Sequence, residues 1–191
     1  MISIVIPYYS KMVNAEYFLK RCIDSIMCQT YKDYEIILTE YGIATANTNA
    51  GIKRAKGELI KILHQDDYLA HPNALQDIVD NFKGRWLVTG SDNNEFPYYT
   101  DDIYTGNNKL GSPSALTIKN DDPILFNESL VWLFDCDYYK RMFDKYGEPV
   151  IIDGVGVCIG LHDDQATNKI SDERKLEEVY KLINKYDTRR I

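Results

Sequence analysis

The chain opens on an apolar run, Ile2-Ser3-Ile4-Val5-Ile6-Pro7-Tyr8-Tyr9, which predicts a buried strand over residues 2–9. Leu19, Cys22, Ile23, Ile26 and Met27 then fall at i, i+3, i+4, i+7 and i+8, the spacing of one apolar helix face. Residues 35–39 read as a second strand, 47–55 as a short helix closed by Gly57, and 59–63 as a third strand running into His64-Gln65-Asp66-Asp67. Pro72 opens a helix with Leu75, Ile78, Val79 and Phe82 inward, and 86–89 is a fourth strand. Strand and helix alternate throughout this half, which predicts an α/β fold with a mainly parallel central sheet and helices on its faces.

The second half is less regular. Residues 91–114 are rich in Asp, Asn, Gly and Tyr and read as loops with at most one short strand. A strand is predicted over 115–119, and a helix over 130–146 with Val131, Phe134, Tyr138 and Met142 on one side. Two short strands follow, 149–152 and 155–161. A charged amphipathic helix over 172–186 turns Leu176, Val179, Leu182 and Ile183 inward. No linker, repeat or low-complexity tract interrupts residues 1–191, so one domain is expected.

Composition narrows the function classes. A hydrophobic share of 45% and a charged share of 27% are those of a globular protein. No apolar run reaches the ~18 residues of a transmembrane segment, and the first residues have no signal-peptide form, so a cytoplasmic location is expected. Cys22, Cys28, Cys136 and Cys158 are scattered and read as free thiols. The net charge of −7 argues against a nucleic-acid partner but leaves room for a nucleotide held through a metal.

The acidic pair Asp66-Asp67 follows the third strand directly, and ligands of such sheets bind beyond the carboxyl ends of the strands. Two adjacent carboxylates are costly to bury together unless a cation accompanies them, and hard oxygen ligands suit Mg2+ or Mn2+. A solvated turn capping the next helix is the plain alternative.

Several segments taken together resemble the family-two glycosyltransferases of the GT-A fold, an α/β/α sandwich. They are Ser3-Ile4-Val5-Ile6-Pro7-Tyr8-Tyr9; Leu19-x-x-Cys22-Ile23-Asp24-Ser25-Ile26-x-x-Gln29-Thr30-Tyr31; Asn49-x-Gly51-Ile52-x-x-Ala55-x-Gly57-Glu58; and Gln65-Asp66-Asp67. The resemblance runs from residue 2 to about residue 168. It implies a nucleotide-sugar-binding half over 1–90, an acceptor-side half over 91–170 and a C-terminal helix over 171–191. It implies Asp67 as metal ligand, Asp66 as ribose or metal contact, and Pro7, Tyr8, Tyr9, Glu40 and Asn49 on the donor. The chain departs from the family pattern at four places. Glu40 stands where Asp is usual, Tyr41 replaces a second acid, Thr48 replaces an Arg, and His64 replaces the first acid of the longer motif.

Three further elements belong to the same resemblance. His162, in a His-x-x-Gln-x-Thr segment, reaches back in some members to the metal or diphosphate, and neutral imidazole is a common metal ligand. Gly111-Ser112-Pro113-Ser114 matches an acceptor-side loop, with Ser112 and Pro113 as acceptor contacts. Asp135, on the helix with Trp132 one turn before it, matches the acid that deprotonates the acceptor, with Asp137 as second choice. Trp132 would be a platform for a sugar ring. The resemblance thus implies metal-dependent, inverting transfer from a nucleotide-diphosphate sugar, with uridine as the expected base, to a glycan, lipid-linked or other hydroxyl acceptor. A sugar nucleotidyltransferase would want a Gly-rich basic loop where Pro7-Tyr8-Tyr9-Ser10-Lys11 stands. A catalytically silent nucleotide-sugar-binding module is the other alternative.

Overall fold

The computed structural model describes residues 1–163 and 165–187. Asp164 of the His-x-x-Gln-x-Thr segment, and the last four residues of the expected 171–191 helix, lie outside them. The first strand, β1 (Ile2–Pro7), is buried along its whole length, as a strand covered on both faces must be. Helix α1 (Ala15–Met27) leads to β2 (Tyr34–Thr39), and α2 (Ala44–Arg54) to β3 (Leu59–Ile62). The two-residue strand β4 (Tyr68–Leu69), α3 (Ala74–Asn81), β5 (Trp86–Ser91) and β6 (Leu116–Lys119) follow. The chain continues through α4 (Phe134–Tyr146), β7 (Val150–Cys158), α5 (Ala166–Lys169) and α6 (Asp172–Tyr186).

The seven strands form one sheet in the order β2-β1-β3-β6-β5-β7-β4. Strands β1, β2, β3, β5 and β7 run one way, while β6 and β4 oppose them. Residues two apart along a strand share a face, so helix positions can be read from single contacts. Gly51 of α2 lies on Val5, where an added Cβ would sit 2.2 Å from Cγ1, and Trp86 stacks on Tyr139 of α4. These two helices cover one face. On the other, Gln29, just past α1, accepts from the Leu75 N–H of α3 at 3.0 Å, which ties that pair together. Ile4, Ile6, Ile60, Ile62, Leu75, Trp86 and Val88 belong to one continuous core.

The expected α/β sandwich with a mainly parallel sheet is therefore the observed fold, with several local corrections. The helix expected at 47–55 begins earlier, at Ala44, so Asn47 lies inside it. The helix expected at 130–146 begins only at Phe134, and the backbone N–H groups of residues 131–133 ahead of it all turn to the carboxylate of Glu178. Trp132 is thus off the helix, and Val131 is exposed. The two strands expected at 149–161 are one strand, β7, whose pairing with β5 shifts register after Thr89. Gly154 takes up that irregularity with φ of +88°, a region that favours glycine. Leu176 of α6 was expected inward and is 56% exposed; Leu182 alone of the four is fully buried. Among the described residues no helix is long and apolar enough to cross a membrane.

Candidate active site

The carboxyl ends of β1, β2 and β3 are laced together by side chains that belong to none of the strands. Asn47 of α2 donates to the Tyr8 carbonyl at 2.8 Å and accepts from the Tyr41 N–H at 3.1 Å. Gln65 accepts from the Tyr9 N–H. Glu40 receives both the N–H and the hydroxyl of Ser10 on Oε1. Pro7 is buried, Tyr8 half-buried, and Tyr9 and Glu40 are exposed, so Tyr9 and Glu40 present their side chains to solvent at this end of the sheet. Asn49 does something different. It is 1% exposed, donates to the Phe126 carbonyl and the Glu128 carboxylate, and accepts from the Phe126 N–H. Its buried amide joins α2 to the second half instead of facing the donor end of the sheet.

The turn after β3 brings His64, Asp66 and Asp67 together with one ligand atom from each inside 4.8 Å of the others. The two carboxylates differ in their surroundings. Asp67 is 2% exposed; its Oδ1 accepts from the Gly160 N–H at 2.8 Å, and the Ser114 hydroxyl bonds the same carboxylate. Burial, then the neighbouring Asp66 charge, pushes the Asp67 carboxyl up to about 7 against the pull of Ser114, Gly160 and Arg21. Asp66 is less buried, and its Oδ2 lies 3.0 Å from His162 Nε2. His162 in turn packs on Phe18 of α1, ring centroids 5.0 Å apart. Arg21, one turn further along α1, donates to the Asp66 carbonyl. Gly160 is required at this approach: an added Cβ would fall 2.0 Å from the Asp66 oxygen.

These features fit a divalent cation. His64 Nε2 is buried without a hydrogen-bond partner, and burial holds its imidazole below the usual pKa, hence neutral and able to ligate. The carboxyl of Asp67, pushed upward by burial and then by the like charge of Asp66, is a group that a cation would stabilise in its ionised form. His64 is the ligand candidate that the sequence undervalued; its signal was its place in the acidic motif.

A second network leads from this turn to the acceptor-side helix. Lys61, fully buried in β3, donates to the Ser114 carbonyl; burial draws its ammonium down to about 7, with Asp67 opposing. Ser114 accepts the His64 N–H at 2.8 Å and, through its own N–H, donates to Ser112. The carbonyls of Gly111 and Ser112 accept from the Tyr139 hydroxyl of α4. Asn108 donates to the Gly111 carbonyl and, at 2.9 Å, to Asp135 Oδ2. Pro113 is buried, so the 111–114 loop is a rigid bridge between the acidic turn and Asp135. Asn108 was not singled out from the sequence, and Ser114 only as the last residue of the acceptor-side loop, since no local pattern marks bonds that reach 27 positions to Asp135 or 50 to His64.

Asp135 and Asp137 are only two residues apart but have opposite environments. Asp135 is half-buried, and burial pushes its carboxyl upward against the hydrogen bonds of Cys136 and Asn108. Asp137 is fully buried and saturated: Lys185 Nζ and the Tyr186 hydroxyl each lie 2.7 Å from Oδ1, and Arg141 Nε 2.8 Å from Oδ2. Burial alone would raise its pKa, but Lys185, Tyr186 and Arg141 outweigh burial and hold it below the usual carboxylate range. Asp137 is thus sealed from solvent with both oxygens engaged by the chain itself, which places it, the second choice for the base, as a buried ion-pair centre away from any acceptor. A depressed carboxylate stabilises the fold above its unfolded pKa and loses that contribution as pH falls through the folded value. Asp137→Asn should thus lower the melting temperature at neutral pH and flatten its fall on acidification, checked by thermal melts across that range.

No family model matches the chain. An uncharacterized glycosyltransferase of Rickettsia bellii is 29% identical over 87 residues, 46% of this chain and 12% of that protein. The uncharacterized glycosyltransferase EpsJ of Bacillus subtilis is 33% identical over 97 residues, covering 37% of this chain and 27% of EpsJ. The chain thus spans under a third of these curated relatives. Among solved structures, S. aureus TarS in complex with UDP-GlcNAc superposes with a TM-score of 0.66 at 15% identity, covering 97% of this chain and 67% of that one. The mannosyltransferase PcManGT from Pyrobaculum calidifontis, solved with GDP-Man and Mn2+, gives 0.62 at 13% identity, covering 96% and 63%. The chain has the α/β fold of these glycosyltransferases, with its acidic turn and Asp135 joined across the 111–114 loop.

Proposed function

We propose that this protein is a metal-dependent, inverting glycosyltransferase that moves a sugar from a uridine-diphosphate donor to an acceptor hydroxyl. The observation that carries the proposal is the His64/Asp66/Asp67 cluster at the end of β3, with an orphaned His64 nitrogen aimed at no protein group. The burial and hydrogen bonds of Asp67 support giving it the anchoring role beside the metal. Asp66, His64 and His162 are then the leading ligands. A divalent cation held there neutralises diphosphate charge and stabilises the departing nucleoside diphosphate.

The remaining roles fall to the chain itself. Glu40 keeps Oε2 for a base N–H while Ser10 holds Oε1. Tyr8 and Tyr9, fixed through Asn47 and Gln65, flank the donor at the end of β1. Asp135 accepts the acceptor's proton as the hydroxyl attacks the anomeric carbon, and its raised pKa brings it closer to the working range of a general base. Attack from the face opposite the leaving group inverts that carbon. Trp132 and the 111–114 loop position the acceptor. TarS was solved with UDP and UDP-GlcNAc, which supports uridine as the base.

Nucleotide binding is the first test. With a net charge of −7, the protein repels a free diphosphate unless a cation intervenes. UDP should raise the melting temperature with Mn2+ or Mg2+ present and leave it unchanged in excess chelator, with GDP giving the smaller shift. Equal stabilisation in chelator would rule out the metal-bridged site, and a larger shift with GDP would overturn the choice of base.

A further inference from the structure

The site described so far leaves one buried charge unused. Glu178 of α6 is 1% exposed, yet its carboxylate does not face solvent, metal or donor. It accepts three consecutive backbone N–H groups: Val131 at 2.8 Å on Oε1, and Trp132 and Leu133 at 2.9 Å on Oε2. Arg174, one turn earlier on α6, braces Oε1 at 3.2 Å and donates to the Ser129 carbonyl at 3.1 Å. Lys181 reaches the Ser129 hydroxyl at 2.6 Å. At its far end the same helix holds Asp137 of α4 through Lys185 and Tyr186. Residues 129–137 are therefore gripped at both ends by α6, with Trp132 and Asp135 between the grips.

The amides of residues 131–133 lie ahead of helix α4, in a turn that leads into its cap position, Leu133. A carboxylate from a remote helix takes all three, with charge-assisted bonds roughly twice as strong as neutral ones. A remote anion fixes the direction of the whole 131–133 turn relative to α6, and so the direction of the Trp132 ring.

We propose that Glu178 is a positioning residue for acceptor use: its carboxylate sets the turn that presents Trp132 and Asp135, without itself touching substrate. This rests on the reading of Trp132 and Asp135 as the acceptor side. Glu178→Gln keeps the shape and removes the charge, leaving one side-chain oxygen for three donors. Hydrogen exchange of the 131–133 amides should then speed up about tenfold or more, and Trp132 emission should shift, while Trp86, fully buried, stays as an internal reference. Acceptor kcat/KM should fall about 10- to 100-fold, as expected for a misplaced reacting group, with donor affinity unchanged. Arg174→Gln, at a half-exposed site, should move all these readouts the same way by less, and serves if the Glu178 variant does not fold. Unchanged exchange at 131–133 in a folded variant would overturn the clamp. Faster exchange with unchanged acceptor kinetics would overturn the positioning role, because Trp132 would then lie off the acceptor path. Loss of donor affinity with the acceptor KM intact would likewise contradict it.

Discussion

Asp66→Asn is expected to lower sugar transfer by about 100-fold or more and to weaken divalent-metal binding in parallel, with little loss of stability. The reason lies in what the side chain touches. Its Oδ2 bonds only His162 among the described residues, and the Arg21 bond goes to the backbone oxygen, which the substitution keeps. The amide fills the same space but brings no charge to a cation. The same change at Asp67 should behave differently, since that side chain is buried and anchors Gly160 and Ser114. Asp67→Asn should cost melting temperature first and metal affinity second. His64→Ala should lose metal affinity as Asp66→Asn does, because the unpartnered Nε2 is the atom it withdraws from the cluster. Metal titration by calorimetry, thermal melts and transfer rates on the three variants separate these roles. Intact metal binding in Asp66→Asn would shift the leading ligand to Asp67.

Asp135→Asn should reduce transfer roughly 100- to 10,000-fold, the usual worth of a general base, while donor and metal affinity stay near normal. The carboxylate is held by Asn108 at 2.9 Å on Oδ2 and by the Cys136 N–H at 2.8 Å on Oδ1, so an amide of the same size can keep one of these bonds and the geometry of α4. What it loses is the capacity to take a proton. Asp137→Asn provides the contrast: its damage should appear in stability, and surviving folded protein should still transfer. Steady-state kinetics with donor binding measured separately distinguishes the two. A fully active Asp135→Asn would place the base outside this helix.

The first half of the fold was legible because its signals are local. An apolar run ending in Pro7, a 3.6-residue stripe from Leu19 to Met27 and a strand running into Asp66-Asp67 each lie within one window of sequence. The acidic turn was legible for the same reason. The long-range partnerships were not. Asn49 carries a motif position suggestive of donor contact, but its amide is committed to Phe126, 77 residues away. The start of α4 lies later than expected because Leu130 to Leu133 continue the apolar periodicity, yet they form a turn whose 131–133 amides bond Glu178, far along the chain. Asp137 and Asp135 look equivalent as letters in a helix; only Lys185, Tyr186 and Arg141 on one side and Asn108 on the other tell them apart.

Turnover of nucleotide sugars by the purified chain tests the central claim most directly. A set of uridine- and guanosine-diphosphate sugars, incubated with Mn2+ and assayed for released nucleoside diphosphate, should show release from at least one uridine donor. That release should stop in excess chelator and in Asp66→Asn, and should persist as slow donor hydrolysis when no acceptor is supplied. Release that continues undiminished in chelator, or no release from any donor by a folded, metal-loaded protein, would contradict the account.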